Sequence, residues 1–240
     1  AFDLAPPGHN GLNKDHLEQL IFGNLQCPQM VFVDGHYSEN LSSLQELSAH
    51  IHVQSLSEAL LQNPEQLEPH LARLADYQDH AFVALNTAFI QDGAFIRISG
   101  GEQAQKPIHL LFLSTASETT TVSHPRNLIV VDKNSQAVIV ESYVGLYQQP
   151  YFTNLVTELV VGENATLDHY KLHRESDKSF HIATLQIHQE RNSNVRTFDV
   201  TLGGAITRNE VNSVLDGEAS ECTLDGLYLV SDDQHVDNHT

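Results

Sequence analysis

Tryptophan is absent from the sequence, methionine occurs once, and cysteine occurs only at Cys27 and Cys222. The two thiols are far apart in the chain and form no C-x-x-C pair, which excludes a cysteine-based structural zinc and a dithiol redox centre. An iron–sulfur cluster commonly takes about four thiolates, so this chain alone supplies no conventional cluster site. Basic residues are also scarce, 12 against 31 acidic ones, for a net charge of −19. Such a surface repels phosphate backbones and anionic lipid, so neither nucleic acid nor a membrane is an expected partner. No run approaches the ~18 apolar residues of a membrane span. The start Ala1-Phe2-Asp3-Leu4 lacks the basic and apolar parts of a signal peptide. With so few cysteines, a reducing compartment is expected. The first residue and the Asp237-Asn238-His239-Thr240 end are abrupt, as in a piece of a longer gene product.

Nucleotide and hydrolase fingerprints are missing as well. Gly100-Gly101 and Gly203-Gly204 do not continue into G-K-[ST], and no G-x-G-x-x-G or G-x-S-x-G occurs. No catalytic residue is nominated, and an enzyme is not expected.

What is present is a chain of 240 residues, 40% hydrophobic, long enough to bury a sizeable core. Residues 1–94 read as a mixed α/β region. Gln29-Met30-Val31-Phe32-Val33 runs into Asp34-Gly35 and His36-Tyr37, an apolar strand followed by the dipeptide of a tight hairpin turn. Ser55-Leu56-Ser57-Glu58 is a capping box before Ala59-Leu60-Leu61, and Pro64-Glu65 opens a second helical stretch with Leu67, Leu71 and Leu74. Residues 95–240 lose the helical period and read as short strands separated by Gly, Asn and Asp. Three runs begin with asparagine, at Asn134, Asn164 and Asn194, about 30 residues apart. That spacing predicts a parallel β-helix whose coils bury their apolar faces on one another, cut short at its C-terminal end. A β-sandwich is the rival architecture. Val138, Val140, Leu167, Val195 and Leu224 are expected among the strand residues of this core region. Gly203, Gly204, Asn209 and Gly226 are expected to serve the fold, at tight coil corners or positive φ.

Histidine is plentiful, with 15 residues. His169/His173 and His235/His239 have the four-residue spacing of helical metal ligands, but both pairs lie in strand-like or terminal sequence. They are expected at the surface or in turns, with no metal site. Cys222 shares a strand face with Leu224 and is expected to be an inert buried thiol. Cys27, beside Pro28 in a loop, has no activating basic neighbour. The acidic residues look scattered and solvated.

Two stretches, Leu202-Gly203-Gly204-Ala205-Ile206-Thr207-Arg208-Asn209 with Gly226-Leu227-Tyr228-Leu229 and Gln234 to Thr240, and Leu85-Asn86-Thr87-Ala88-Phe89-Ile90-Gln91-Asp92-Gly93-Ala94-Phe95, resemble the SufB/SufD family of iron–sulfur assembly scaffolds. Val31-Phe32-Val33-Asp34-Gly35 resembles the hairpin of its SufD branch. The resemblance implies a right-handed parallel β-helix and a non-catalytic subunit of the SufBCD complex, concerned with iron acquisition and the SufB–SufD interface. Its partners would be SufB and the ATPase SufC. The full complex would handle the cluster, with ATP on SufC. Two separated thiols and unclustered histidines make no closed site, so this chain alone is expected to carry no cluster, no cofactor and no stoichiometric zinc. Its location would be the cytoplasm or plastid stroma. The family's Cys-Ser-His-Gly segment, the last β-helix coils and the C-terminal helical domain that contacts SufC are absent, so weak binding to SufB and SufC is expected, with self-association through Leu227 to Val236 instead. Three other readings stand beside this one: a SufB-type scaffold, a β-helix carbohydrate-active enzyme, and a histidine-rich metal-binding protein, which would take up metal as the isolated chain.

Overall fold

The structure is a computed structural model that describes residues 2–7, 12, 17, 20, 26–45, 47–115 and 120–240. In chain order the strands are β1 (Asp3–Leu4), β2 (Gln29–Val33), β3 (His36–Tyr37), β4 (Ile51–Ser55), β5 (Ala94–Ile98), β6 (Ile108–Ser114), β7 (Thr121–Ser123), β8 (Arg126–Val131), β9 (Gln136–Gly145), β10 (Phe152–Val161), β11 (Thr166–Arg174), β12 (Phe180–Gln189), β13 (Asn194–Thr201), β14 (Ile206–Leu215), β15 (Glu221–Tyr228) and β16 (His235–His239). Three short helices, α1 (Leu56–Gln62), α2 (Pro64–Leu67) and α3 (Ala81–Ala88), lie between β4 and β5.

From β8 onward consecutive strands alternate between two sheets. β8, β10, β12, β14 and β16 stack in one, and β9, β11, β13 and β15 stack in the other, which continues through β6 to β2. The chain is a right-handed parallel β-solenoid with a small mixed N-terminal region, as the asparagine repeat predicts. Register is maintained over whole strands, so that β12 follows β10 from Phe152↔Phe180 to Val161↔Gln189. Among the described residues, the antiparallel strand pairs are β2–β3 and β4–β5, with one isolated antiparallel bridge between Gln29 and Ser43. The first of these is the expected hairpin, turning at Asp34 (φ 52°) and Gly35 (φ 87°).

Coil corners use a left-handed residue, and asparagine tolerates that conformation better than most. Asn134 (φ 61°), Asn164 (φ 58°) and Asn192 (φ 56°) occupy successive corners. Their amides form a ladder, with Asn164 Nδ2 donating to Asn134 Oδ1 at 3.0 Å and Asn192 Nδ2 to Asn164 Oδ1 at 3.1 Å. The third corner is therefore Asn192, and Asn194 is instead the first residue of β13. The next corner carries Ala219 at φ 58°.

Strand alternation places Ala137, Ile139, Leu167 and Val195 in the main core. All five expected strand residues lie in strands, with Val138 and Val140 half-buried on the outer face of β9. Leu224 does not belong to the closed core either, since it is 38% exposed in the last coil.

The helical part of the N-terminal region folds against the outer face of the solenoid, while β2 continues its second sheet. Ser55 caps α1, accepting from the Glu58 N–H at 3.4 Å, whereas the stretch opened by Pro64 gives only the four residues of α2. Helix α3 had no helical expectation. Arg126 on β8 and Glu158 on β10 are neighbours there, both fully buried and 2.7 Å apart. Glu158 also accepts the backbone N–H groups of Ala72, Leu74 and Ala75 at 3.0–3.1 Å, and Arg126 donates to Asn86 of α3 at 3.2 Å. This pair ties the helical region to the sheet.

Two outcomes follow from these contacts. Arg126→Met leaves the Glu158 carboxylate buried without its cation, and urea unfolding is expected to lose about 3–5 kcal/mol. Ala219→Asn relieves the left-handed strain and extends the corner ladder, and the same measurement is expected to gain about 1 kcal/mol.

Candidate functional site

In-register stacking sorts the inward side chains of the second sheet into columns that change character along the solenoid. One column runs Phe32, Phe112, Tyr143, His173, with rings stacked at centroid distances of 4.6, 4.8 and 5.4 Å. The next runs Met30, Leu110, Glu141, Lys171, Asp199, Gly226. A third runs Ile108, Ile139, His169, Thr197, Leu224. These columns are apolar in the early coils and carry ionisable side chains from Glu141 onward, beside the apolar Leu167, Leu185 and Val195.

Buried charges persist only where partners satisfy them. Glu141 accepts from Tyr143 Oη at 2.7 Å, Thr157 Oγ1 at 3.3 Å and Asn127 Nδ2 at 3.4 Å, with His169 Nε2 3.3 Å away. Burial pushes its pKa up, but the contacts with His169 and Tyr143 outweigh burial and hold it below the usual value. Lys171 Nζ lies 2.9 Å from Asp199 Oδ2 and donates to Asn209 Oδ1 at 2.9 Å. Asp199 is likewise held well below the usual carboxylate range, Lys171 and His173 overcoming its burial.

Beyond Asp199 lies a cluster of two imidazoles and a carboxylate. His173 Nε2 is 3.4 Å from Asp199 Oδ2, and its Nδ1 is 3.7 Å from Glu175 Oε2. His181, inward-facing on β12 of the opposite sheet, places Nδ1 2.6 Å from the same Glu175 oxygen. Burial lowers the His181 pKa to about 4, Glu175 opposing, so this ring is neutral at pH 7. Burial would lower His173 too, but Asp199 and Glu175 raise it overall. The Glu175 carboxyl stays below its ordinary value because the two histidines outweigh its burial. Gly203 fixes the corner, since a Cβ there would stand 2.3 Å from the Glu175 carbonyl oxygen.

Several sequence expectations change here. His169 and His173 are buried in the solenoid, not at the surface, because they share the inward face of β11 with Leu167. His235 and His239 are exposed on β16, as expected. Glu141, Glu158, Glu175 and Asp92 are buried rather than solvated. Gly203 and Gly204 serve tight corners, Gly204 with φ 89°, but Gly226 is a strand residue with no close contact and leaves space above Asp199. Asn209 also serves a different end from a corner, bonding Lys171 and Asn238 from inside. That space is a cavity of about 260 Å³ between the last coils, reached by His169, Lys171, Asp199 and Asn209.

Cys222 is half-buried against the core, and Cys27 is half-buried with its thiol pKa raised by burial despite Lys106 nearby. Cys27 precedes β2 and Cys222 lies on β15, five strand spacings on, which at ~4.8 Å each separates them by roughly 24 Å. They do not share a cluster site. Lys171, Glu175 and His181 were not singled out from sequence. Period-two alternation carried the signal for Lys171 from Leu167 and for His181 from Ala183, Leu185 and Ile187, but nothing local marks Glu175 or its meeting with His181 across the coil.

Residues 21–110 match the SufBD protein N-terminal region, and residues 112–240 match the SufBD core domain of the SUF system of iron–sulfur cluster assembly. An iron–sulfur cluster assembly SufBD family protein of Synechocystis is 33% identical over 100% of this chain and 54% of its own length. The assembly protein SufD of Escherichia coli is 26% identical over 90% of this chain and 49% of its own length. The assembly protein SufB of Bacillus subtilis is 23% identical over 75% of this chain and 38% of its own length. The chain thus spans about half the length of the curated relatives it matches. With both regions matched in order and the solenoid in place, the chain belongs to the SufBD family.

Proposed function

We propose that this chain is part of a SufD-type, non-catalytic scaffold subunit for iron–sulfur cluster assembly, acting beside a SufB-type subunit and a SufC-type ATPase. Its role lies in forming the subunit interface and in iron acquisition, in a reducing compartment such as the cytoplasm or plastid stroma. The observation that carries the reading is the family match combined with the thiol inventory, two half-buried cysteines at distant positions along the solenoid. A scaffold of that kind needs partner ligands to hold a cluster. The SufD assignment is favoured over SufB by the wider likeness, 90% of the chain against 75%, and by the Asp34-Gly35 hairpin. The likeness to SufB keeps a SufB-type scaffold as the second reading. A carbohydrate-active β-helix enzyme has less support, because the acids that cluster face the solenoid interior and not a polymer-sized groove.

The test uses the full-length gene product with the SufB and SufC homologues of its own organism. Co-purification of all three is expected, and anaerobic incubation with ferrous iron and sulfide should give visible cluster absorption on the complex and none on this subunit alone. A cluster on this subunit alone would move the assignment to SufB. Failure to co-purify with either partner would overturn the scaffold reading.

A further inference from the structure

The cluster of His173, Glu175 and His181 is not absorbed by a scaffold role. Its three donor atoms lie within 4.8 Å of one another, and all three side chains are buried. Burial normally goes with hydrogen bonding, and unpartnered buried polar atoms point to a missing occupant. Here Glu175 Oε2 and both ring nitrogens of His173 and His181 have no hydrogen-bond partner. Although His181 Nδ1 is only 2.6 Å from Glu175 Oε2, that contact lacks hydrogen-bond alignment.

The surroundings hold the donors in that arrangement. The Tyr143 ring stacks on His173 at 5.4 Å and meets His181 edge-on at 4.9 Å, fixing both imidazole planes. The other Glu175 oxygen accepts from Thr153 Oγ1 at 3.3 Å, leaving Oε2 for a ligand. Asp199 stands 3.4 Å behind His173 Nε2, where a carboxylate orients a metal-binding imidazole and strengthens its donor nitrogen. Asp199 also borders the 260 Å³ cavity, so this carboxylate stands between the cavity and His173.

We propose that His173, Glu175 and His181 bind one divalent first-row transition metal ion, zinc or ferrous iron, inside the solenoid. Two imidazoles and one carboxylate are a donor set that both ions accept, at about 2.0–2.2 Å for zinc. The magnesium and calcium ions prefer all-oxygen sites and are rejected. The site is independent of the thiols and of the scaffold assignment, so its failure would leave that reading standing.

The test is titration of the metal-free 240-residue protein with cobalt(II), read by its visible ligand-field spectrum, and with zinc, read by calorimetry. One ion per chain is expected for each metal. His181→Gln and Glu175→Gln should abolish binding, Asp199→Asn should weaken it by roughly tenfold, and His239→Gln should leave it unchanged. X-ray absorption on the zinc-loaded wild-type protein gives a readout that does not rest on the variants' folding. It should show nitrogen and oxygen neighbours, two of them imidazole. No stoichiometric uptake by the wild type, sulfur in the zinc shell, or binding that survives His181→Gln in a folded variant would each overturn the site.

Discussion

In-register parallel hydrogen bonding between successive coils is the constraint from which the rest of this molecule follows. Each strand copies the phase of the one beneath it, so a residue's direction is decided by its column and not by its own polarity. Between β9 and β11 the match runs unbroken from Gln136↔Thr166 to Val144↔Arg174. A column that begins as Met30 and Leu110 must therefore continue inward at Glu141, Lys171 and Asp199. The backbone admits these ions to the interior, and they must then satisfy one another.

That satisfaction is uneven. Glu141 has several donors, and Lys171 has two acceptors, so this part of the row is electrostatically closed. Further along, Asp199 Oδ2, Glu175 Oε2 and the ring nitrogens of His173 and His181 are buried without a hydrogen-bond partner. A row of ionisable side chains stabilises a fold less than an apolar column of equal volume would. Its presence in three consecutive coils argues for a use beyond packing. The Arg126–Glu158 pair on the outer face has a different consequence, joining the N-terminal helices to the solenoid at one buried point.

Much of the architecture was legible in the sequence, because a repeat of turn residues is a local signal with a global meaning. Asn134 and Asn164 mark true corners, and the Asp34-Gly35 turn and the Ser55 cap form as their chemistry requires. Asn194 misled by two residues because its neighbour Asn192 takes the left-handed position, a choice that composition does not reveal. Val138 and Val140 show the limit of hydrophobicity as a guide to phase, since the outer face of β9 is also partly covered. The histidines were misplaced for the opposite reason. Residue type argued for the surface, whereas alternation from Leu167 already put His169, Lys171 and His173 on the core side. Alternation along β12 from Ala183 and Leu185 likewise put His181 on the core side, but its meeting with Glu175 depends on how the corner after β11 is closed.

The central claim is that an ionisable row, ending in His173 and His181, lies inside the solenoid. Histidine side-chain NMR of the metal-free protein between about pH 3 and 8 tests it most directly, by following each ring's protonation separately. The expected result is a His181 ring that stays neutral until about pH 4 and a His173 ring that protonates above the ordinary histidine value. Both rings titrating together near 6.5, as free imidazoles in water do, would contradict it.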